Sequence, residues 1–154
     1  MLYKMYLEAV RWDGDDAGSL LVFSNVTDGG KLSVAIPEPI GFDLSTLLNQ
    51  REEGIEPYFG ISELISQIGG TVQKLIIGKH QRPGSGEMHL EIEGKTRVIE
   101  LFFADVVALA IVEDMPIYFD ESVCNKNEAP LDKRLLFTRT SSLTKYSFDT
   151  DTHK

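Results

Sequence analysis

At 154 residues and 42% hydrophobic content, the chain can bury one sizeable core and falls within the ordinary size of a single domain. Its formal net charge of -9 works against a broad electrostatic grip on a polyphosphate, which needs clustered Lys and Arg, so nucleic acid is disfavoured as a tightly held partner. The lone cysteine, Cys124, cannot form an internal disulfide, Met1–Tyr6 shows no apolar leader, and the apolar run at 106–112 is too short to span a bilayer; a cytoplasmic protein without a membrane anchor is expected.

Residues 2–12 mix Tyr, Leu, Val and Trp, with Tyr3, Met5, Leu7 and Ala9 on one side and Lys4 and Glu8 on the other, which predicts a first strand. Asp13-Gly14-Asp15-Asp16-Ala17-Gly18 is dense in turn formers and leads into Leu20-Leu21-Val22-Phe23, so a hairpin is expected. Its three carboxylates lack the full alternation and closing Glu of a calcium loop, and a solvated turn is the better reading. Asp28-Gly29-Gly30 makes the next turn and residues 31–36 a third strand, stopped by Pro37-Glu38-Pro39. A helix follows from Gly41 to Gln50, with Phe42, Leu44, Leu47 and Leu48 expected on its buried side. Arg51 to Pro57 reads as a charged surface connection. Ile61, Leu64, Ile65 and Ile68 recur at helical spacing before Gly69-Gly70, and Thr71 to Gly78 reads as a strand with much of both faces covered.

The loop His80-Gln81-Arg82-Pro83-Gly84-Ser85-Gly86 does not follow a strand and open a helix as a phosphate cradle would. Met88, Leu90 and Ile92 then alternate with Glu87, His89, Glu91 and Glu93, and Gly94-Lys95 turns the chain into Thr96 to Phe103. Two imidazoles, His80 and His89, with Glu87 or Glu91 would suit zinc, but a solvated strand face carrying one His explains the pattern more simply. The stretch from Arg97 to Phe119 reads as strand, helix, strand. Val106-Val107-Ala108-Leu109-Ala110-Ile111-Val112 leaves no polar face, so this helix must be enclosed by protein. Asp105 stands where its first turn is expected to begin, as a helix cap, and Pro116 ends it. One helical turn is expected at 120–123. Residues 124–134 are polar and irregular, Leu135-Leu136-Phe137 is a last apolar patch, and the Ser- and Thr-rich end from Ser141 is expected to be mobile.

Asp105-Val106-Val107-Ala108-Leu109-Ala110, followed by Met115-Pro116-Ile117-Tyr118, resembles the Asp-Ala-Ile-Ala-Leu-Ala helix and Pro-Ile-Tyr-Val strand of the bifunctional nuclease domain family, a bacterial and plant group. A second match is Ile61 to Gly70, similar to that family's helix ending in glycine before a Val-rich strand. The resemblance runs from about Tyr6 to Val123. It implies a compact α+β domain with mixed β-sheets, commonly assembled as a homo-oligomer; with the residues as read above, a single domain over 1–123 with a central buried helix and two or three further helices is expected, followed by a polar, partly disordered extension over 124–154. Where the family has Arg-Pro-Ser-Asp before its helix, this chain has Phe102-Phe103-Ala104-Asp105, and where the family has Thr-His-Asp, this chain has Ile61-Ser62-Glu63.

Two functional expectations follow. A metal-dependent phosphodiesterase acting on DNA or RNA needs an activated water and compensation of developing charge, which magnesium or manganese held by carboxylates supplies. Asp105 and Glu63 are then the catalytic residues and metal ligands, with Glu100 as a third ligand. Loss of the Arg and His removes a phosphate-binding cation and an acid or base, and the two rings that replace polar groups suit a core or an interface. A non-catalytic oligomeric scaffold or partner-binding module is therefore the leading expectation.

Overall fold

The structure, a computed structural model, describes residues 1–12, 18–78, 84–124 and 145–149. Strands β1 (Leu2–Trp12), β2 (Gly18–Asn25) and β3 (Lys31–Pro37) pair antiparallel in succession. Leu21 and Phe23 of β2 and Leu32, Val34 and Ile36 of β3, at every second position, turn one face of this meander into core. At β1 the alternation breaks. Leu7 pairs with Phe23, but Ala9 pairs with Val22 and Val10 with Leu21, so Glu8 is the extra residue of a bulge. A bulge shifts the side-chain phase by one, and Val10 rather than Ala9 packs against the core beyond it. Glu8 is left on the outer face, where Lys31 of β3 reaches it; the hydrogen bond from Lys31, above all, holds its carboxyl below the ordinary range.

Helix α1 (Glu38–Glu52) starts at Glu38 rather than Gly41, because a proline in the first turn forfeits only an N–H that would have no helical partner. Ile40, Leu44, Leu47 and Leu48 form its packed stripe. Phe42 lies about 200° around the helix from Ile40 and is 69% exposed, contrary to the expectation that it is buried. Helix α2 (Gly60–Gln67) buries Ile65 and half-buries Ile61, while Leu64 and Ile68 remain exposed.

A second antiparallel meander follows: β4 (Gly70–Ile77), β5 (Ser85–Ile92) and β6 (Lys95–Phe102). Glu93 and Gly94, with φ of 54° and 78°, close the β5–β6 hairpin between the paired residues Ile92 and Lys95, the backbone signature of a two-residue type I′ turn. Helix α3 (Phe103–Glu113) and β7 (Ile117–Asp120) complete the core, with a single turn, α4 (Glu121–Cys124), after it. The turns at 13–17 and the loop at 79–83 lie outside the described residues, as do Leu135-Leu136-Phe137 and the last five residues.

The described strands form one eight-stranded sheet in the order β6-β5-β4-β7-β1-β2-β3-β8, so the expected mixed sheets are one sheet. Its mixed character comes from β7, which pairs parallel with β4 and antiparallel with β1 and so joins the two meanders. Strand β6 runs parallel to β7 with β5 and β4 between them. A helix that connects two such strands must cross over the strands between them, which is why α3 lies on the sheet and is covered from above by other helices. Phe103 and every residue from Val106 to Ile111 are buried, in one cluster with Leu75, Ile77, Met88 and Leu90 of the sheet, Leu44 of α1 and Ile65 of α2. The central enclosed helix is thus observed, in a single α+β domain with three further helices among the described residues.

The last strand, β8 (Lys145–Asp149), pairs with β3. Five residues of the polar extension thus stand in the sheet as a strand. An edge strand offers unpaired N–H and C=O groups, and a segment can satisfy them with its own backbone whatever its side chains are.

Candidate functional site

The N-terminal end of α3 carries Asp105, one of the expected active groups. Phe102 occupies the N-cap position with no side-chain cap, and the Phe103 N–H donates to the Gly84 carbonyl at 2.8 Å. This tertiary bond starts the helix two residues before Asp105, which therefore is not its cap. Asp105 is instead the third helical residue, half-buried, and desolvation by burial pushes its carboxyl above the ordinary aspartate range. The partial positive charge of the helix start favours the ionised form and opposes that shift without cancelling it.

The folded protein thus holds the Asp105 proton to higher pH than the unfolded chain does. Between the two values the native state binds more protons, so stability falls as pH rises through that interval, and the full cost is present above it. Asp105→Asn is expected to melt above the wild type at neutral pH, with the difference vanishing below the ordinary aspartate range. Thermal melts of both proteins across that range check this, and a variant that melts lower at neutrality would show a net favourable charge at 105.

Glu63 lies elsewhere. Its Oε2 accepts from Gln67 Nε2 at 2.8 Å on the exposed side of α2, and its neighbour Ser62 donates to Glu113 at the C-terminal end of α3. Asp105 and Glu113 are eight residues apart on that helix, a rise of about 12 Å. Glu100 stands opposite Glu87 on β6 and β5; Met88 and its partner Ile99 face the helices, so the two glutamates point to the other side of the sheet. The structure does not bring Asp105, Glu63 and Glu100 together. Among the described residues, no group of three or more His, Cys, Asp and Glu is placed to hold a metal ion. His89 is half-buried on the outer sheet face with its Nε2 3.0 Å from Glu87 Oε1; His80 lies outside the described residues.

One residue of consequence escaped the sequence reading. Arg51, placed there in a surface connection, is in the last turn of α1 and reaches the C-terminal end of α3: Nη1 donates to the Ile111 carbonyl at 3.1 Å and Nη2 lies 2.5 Å from Asp114 Oδ2. Asp114 has φ of 55°, and the Met115 N–H donates to Ala110 O at 3.0 Å, so α3 ends in a left-handed turn with a non-glycine residue. Arg51 neutralises the exposed carbonyl end there and ties α1 to α3. The only hint in the sequence is a basic residue closing an amphipathic stretch.

The two rings at the helix start part company. Phe103 is 2% exposed and belongs to the core, whereas Phe102, the last residue of β6, is 76% exposed. Strand β6 is one edge of the sheet, and Val98 on the same face as Phe102 is 55% exposed. Beside the helix start, then, stand two exposed apolar side chains of an edge strand, on either side of Glu100, and the carboxylates are dispersed over two ends of α3 and the opposite sheet face. No protein-family model matches the chain, and no curated protein matches it. Among the described residues, no helix is long and apolar enough to cross a membrane.

Proposed function

We propose that this chain is a divergent bifunctional-nuclease-like domain serving in the cytoplasm as a non-catalytic, homo-oligomeric scaffold or partner-binding module. The observation that carries the reading is Phe102: a ring 76% exposed at a sheet edge, where the resembled family has a polar residue. An aromatic side chain in that position contributes contact area and no phosphate chemistry. The separation of Asp105, Glu63 and Glu100 supports it too, since a divalent ion assisting phosphodiester hydrolysis needs its carboxylates in one place. The acidic net charge of -9 weakens any hold on a nucleic acid strand.

The competing reading, a magnesium- or manganese-dependent phosphodiesterase, is tested directly. Purified protein incubated with single-stranded DNA and RNA, with either metal present or chelated, is expected to leave both intact. Metal-dependent cleavage that disappears in Glu63→Gln and Asp105→Asn would replace the scaffold reading with the enzymatic one.

A further inference from the structure

We propose that the outer edge of β6 docks a second copy of this chain by antiparallel pairing of β6 with β6; this rests on the assembly reading above and names the face it uses. Strand β6 is eight residues long, contains no proline, and pairs with β5 in unbroken register. Exposed edges are normally blunted by proline, a bulge, a short strand or charged side chains; this one has no proline, no bulge and full length, and carries its charges, Lys95, Arg97 and Glu100, off its centre. Because Ile92 and Lys95 flank a two-residue turn they exchange hydrogen bonds, and so do alternate pairs along the hairpin; Lys95, Arg97, Ile99 and Leu101 direct their backbone groups to β5. The intervening residues, from Thr96 to Phe102, direct theirs outward.

The occupant follows from the charges. Lys95 and Arg97 lie at the start of β6 and Glu100 near its end. Parallel pairing in register sets each charge against its own kind. Antiparallel pairing about a two-fold axis keeps each residue on its own face only when the axis passes through a residue. An axis at Arg97 opposes two arginines, and one at Glu100 opposes two glutamates. Axes at Val98 or Ile99 set every charged residue opposite a neutral one: Glu100 faces Thr96 or Val98, and Arg97 faces Ile99 or Leu101. The same sequence can thus pair with itself about its centre without setting like charges against each other. Such a contact is isologous, closes at two chains, and covers Val98 on the outer face, with Phe102 opposite Thr96 when the axis is at Ile99.

The experiment is light scattering after gel filtration, from low to high micromolar protein, on the wild type, Val98→Lys and Val98→Pro. Proline at 98 deletes only an outward N–H and leaves the β5–β6 ladder whole, so the variant is expected to keep the wild-type circular dichroism spectrum. Val98→Lys provides the same block without touching the backbone. The wild type is expected to be a dimer, with each variant weakening it at least about tenfold. In a Cys124→Ser background, Val98→Cys or Ile99→Cys is expected to oxidise to a linked dimer, because the residue on the axis meets its own copy. A dimer that persists in both Val98 variants would reject the β6 edge and keep the assembly reading. A monomeric wild type throughout would overturn both.

Discussion

Leu109→Ala is expected to lower stability by about 3 kcal/mol, within the range of roughly 2–5 for large-to-small changes at fully buried sites. Leu109 is 0% exposed in the middle of α3, with Val106, Val107, Ala108, Ala110 and Ile111 buried beside it in sequence. Truncation removes apolar surface from a site enclosed by sheet below and helices above, and enclosed sites collapse poorly around a void. In a chain of 154 residues, that loss corresponds to a fall in melting temperature of about 6–12 °C. Phe102→Ala provides the contrast. It deletes a larger side chain, but one 76% exposed in the single chain, and at concentrations where the protein is monomeric should change stability by no more than about 0.5 kcal/mol. Urea unfolding of the two variants measures both. Equal losses, or a loss below about 1 kcal/mol at Leu109, would mean that α3 is not what the core is packed around.

That contrast separates what the sequence shows from what it cannot. The enclosed helix was legible because seven consecutive apolar residues leave no face for water, whatever surrounds them. The β5–β6 hairpin was legible for the same local reason, strict alternation and then a glycine, but its turn falls on Glu93-Gly94 and not on Gly94-Lys95, because Lys95 pairs with Ile92. The start of α3 was not legible. It is set by the Phe103 N–H meeting the Gly84 carbonyl, a bond between residues far apart in the chain, so Asp105 looked like a cap and is a half-buried acid. The bulge at Glu8 was hidden likewise, because an extra residue is defined only against a partner strand. The place of β7 between β4 and β1 is also a property of pairing that periodicity does not contain.

The candidate site was less legible than the fold, and the reason is geometric. Asp105 and Glu63 stand at the resembled family's polar positions and Glu100 is a further carboxylate close in sequence, but neither relation carries information on which end of a helix or which face of a sheet a side chain occupies. Glu63 lies near the end of α3 remote from Asp105, and Glu100 points away from the helices altogether. Phe102 and Phe103 were recognised together as an interface or core signal. One extra step along the chain, from strand end to helix start, sends the first ring into solvent and the second into the core.

Gly86→Ala is the second large effect expected, and its sign is the informative part. Exchanging glycine for alanine within a strand ordinarily stabilises by about 0.5–1 kcal/mol, since the unfolded chain loses freedom. At Gly86 the added methyl would stand 2.5 Å from Ile77 Cδ1, 2.8 Å from the Ile76 carbonyl oxygen and 3.1 Å from Val106 Cγ2. The isoleucine tip can turn aside, but the carbonyl belongs to the paired strand β4, and Val106 belongs to the first turns of α3 lying on the sheet. Relief therefore requires α3 to lift or the β4–β5 ladder to distort, and overpacking of this kind costs about 1–3 kcal/mol. The net expectation is destabilisation, read as a lower urea midpoint. Val106→Ala removes one of the three contacts. It should cost less in the Gly86→Ala background than in the wild type, a coupling that a double-mutant cycle measures. A Gly86→Ala protein as stable as the wild type, with no coupling to 106, would mean that α3 does not need the missing side chain at β5 in order to seat on the sheet.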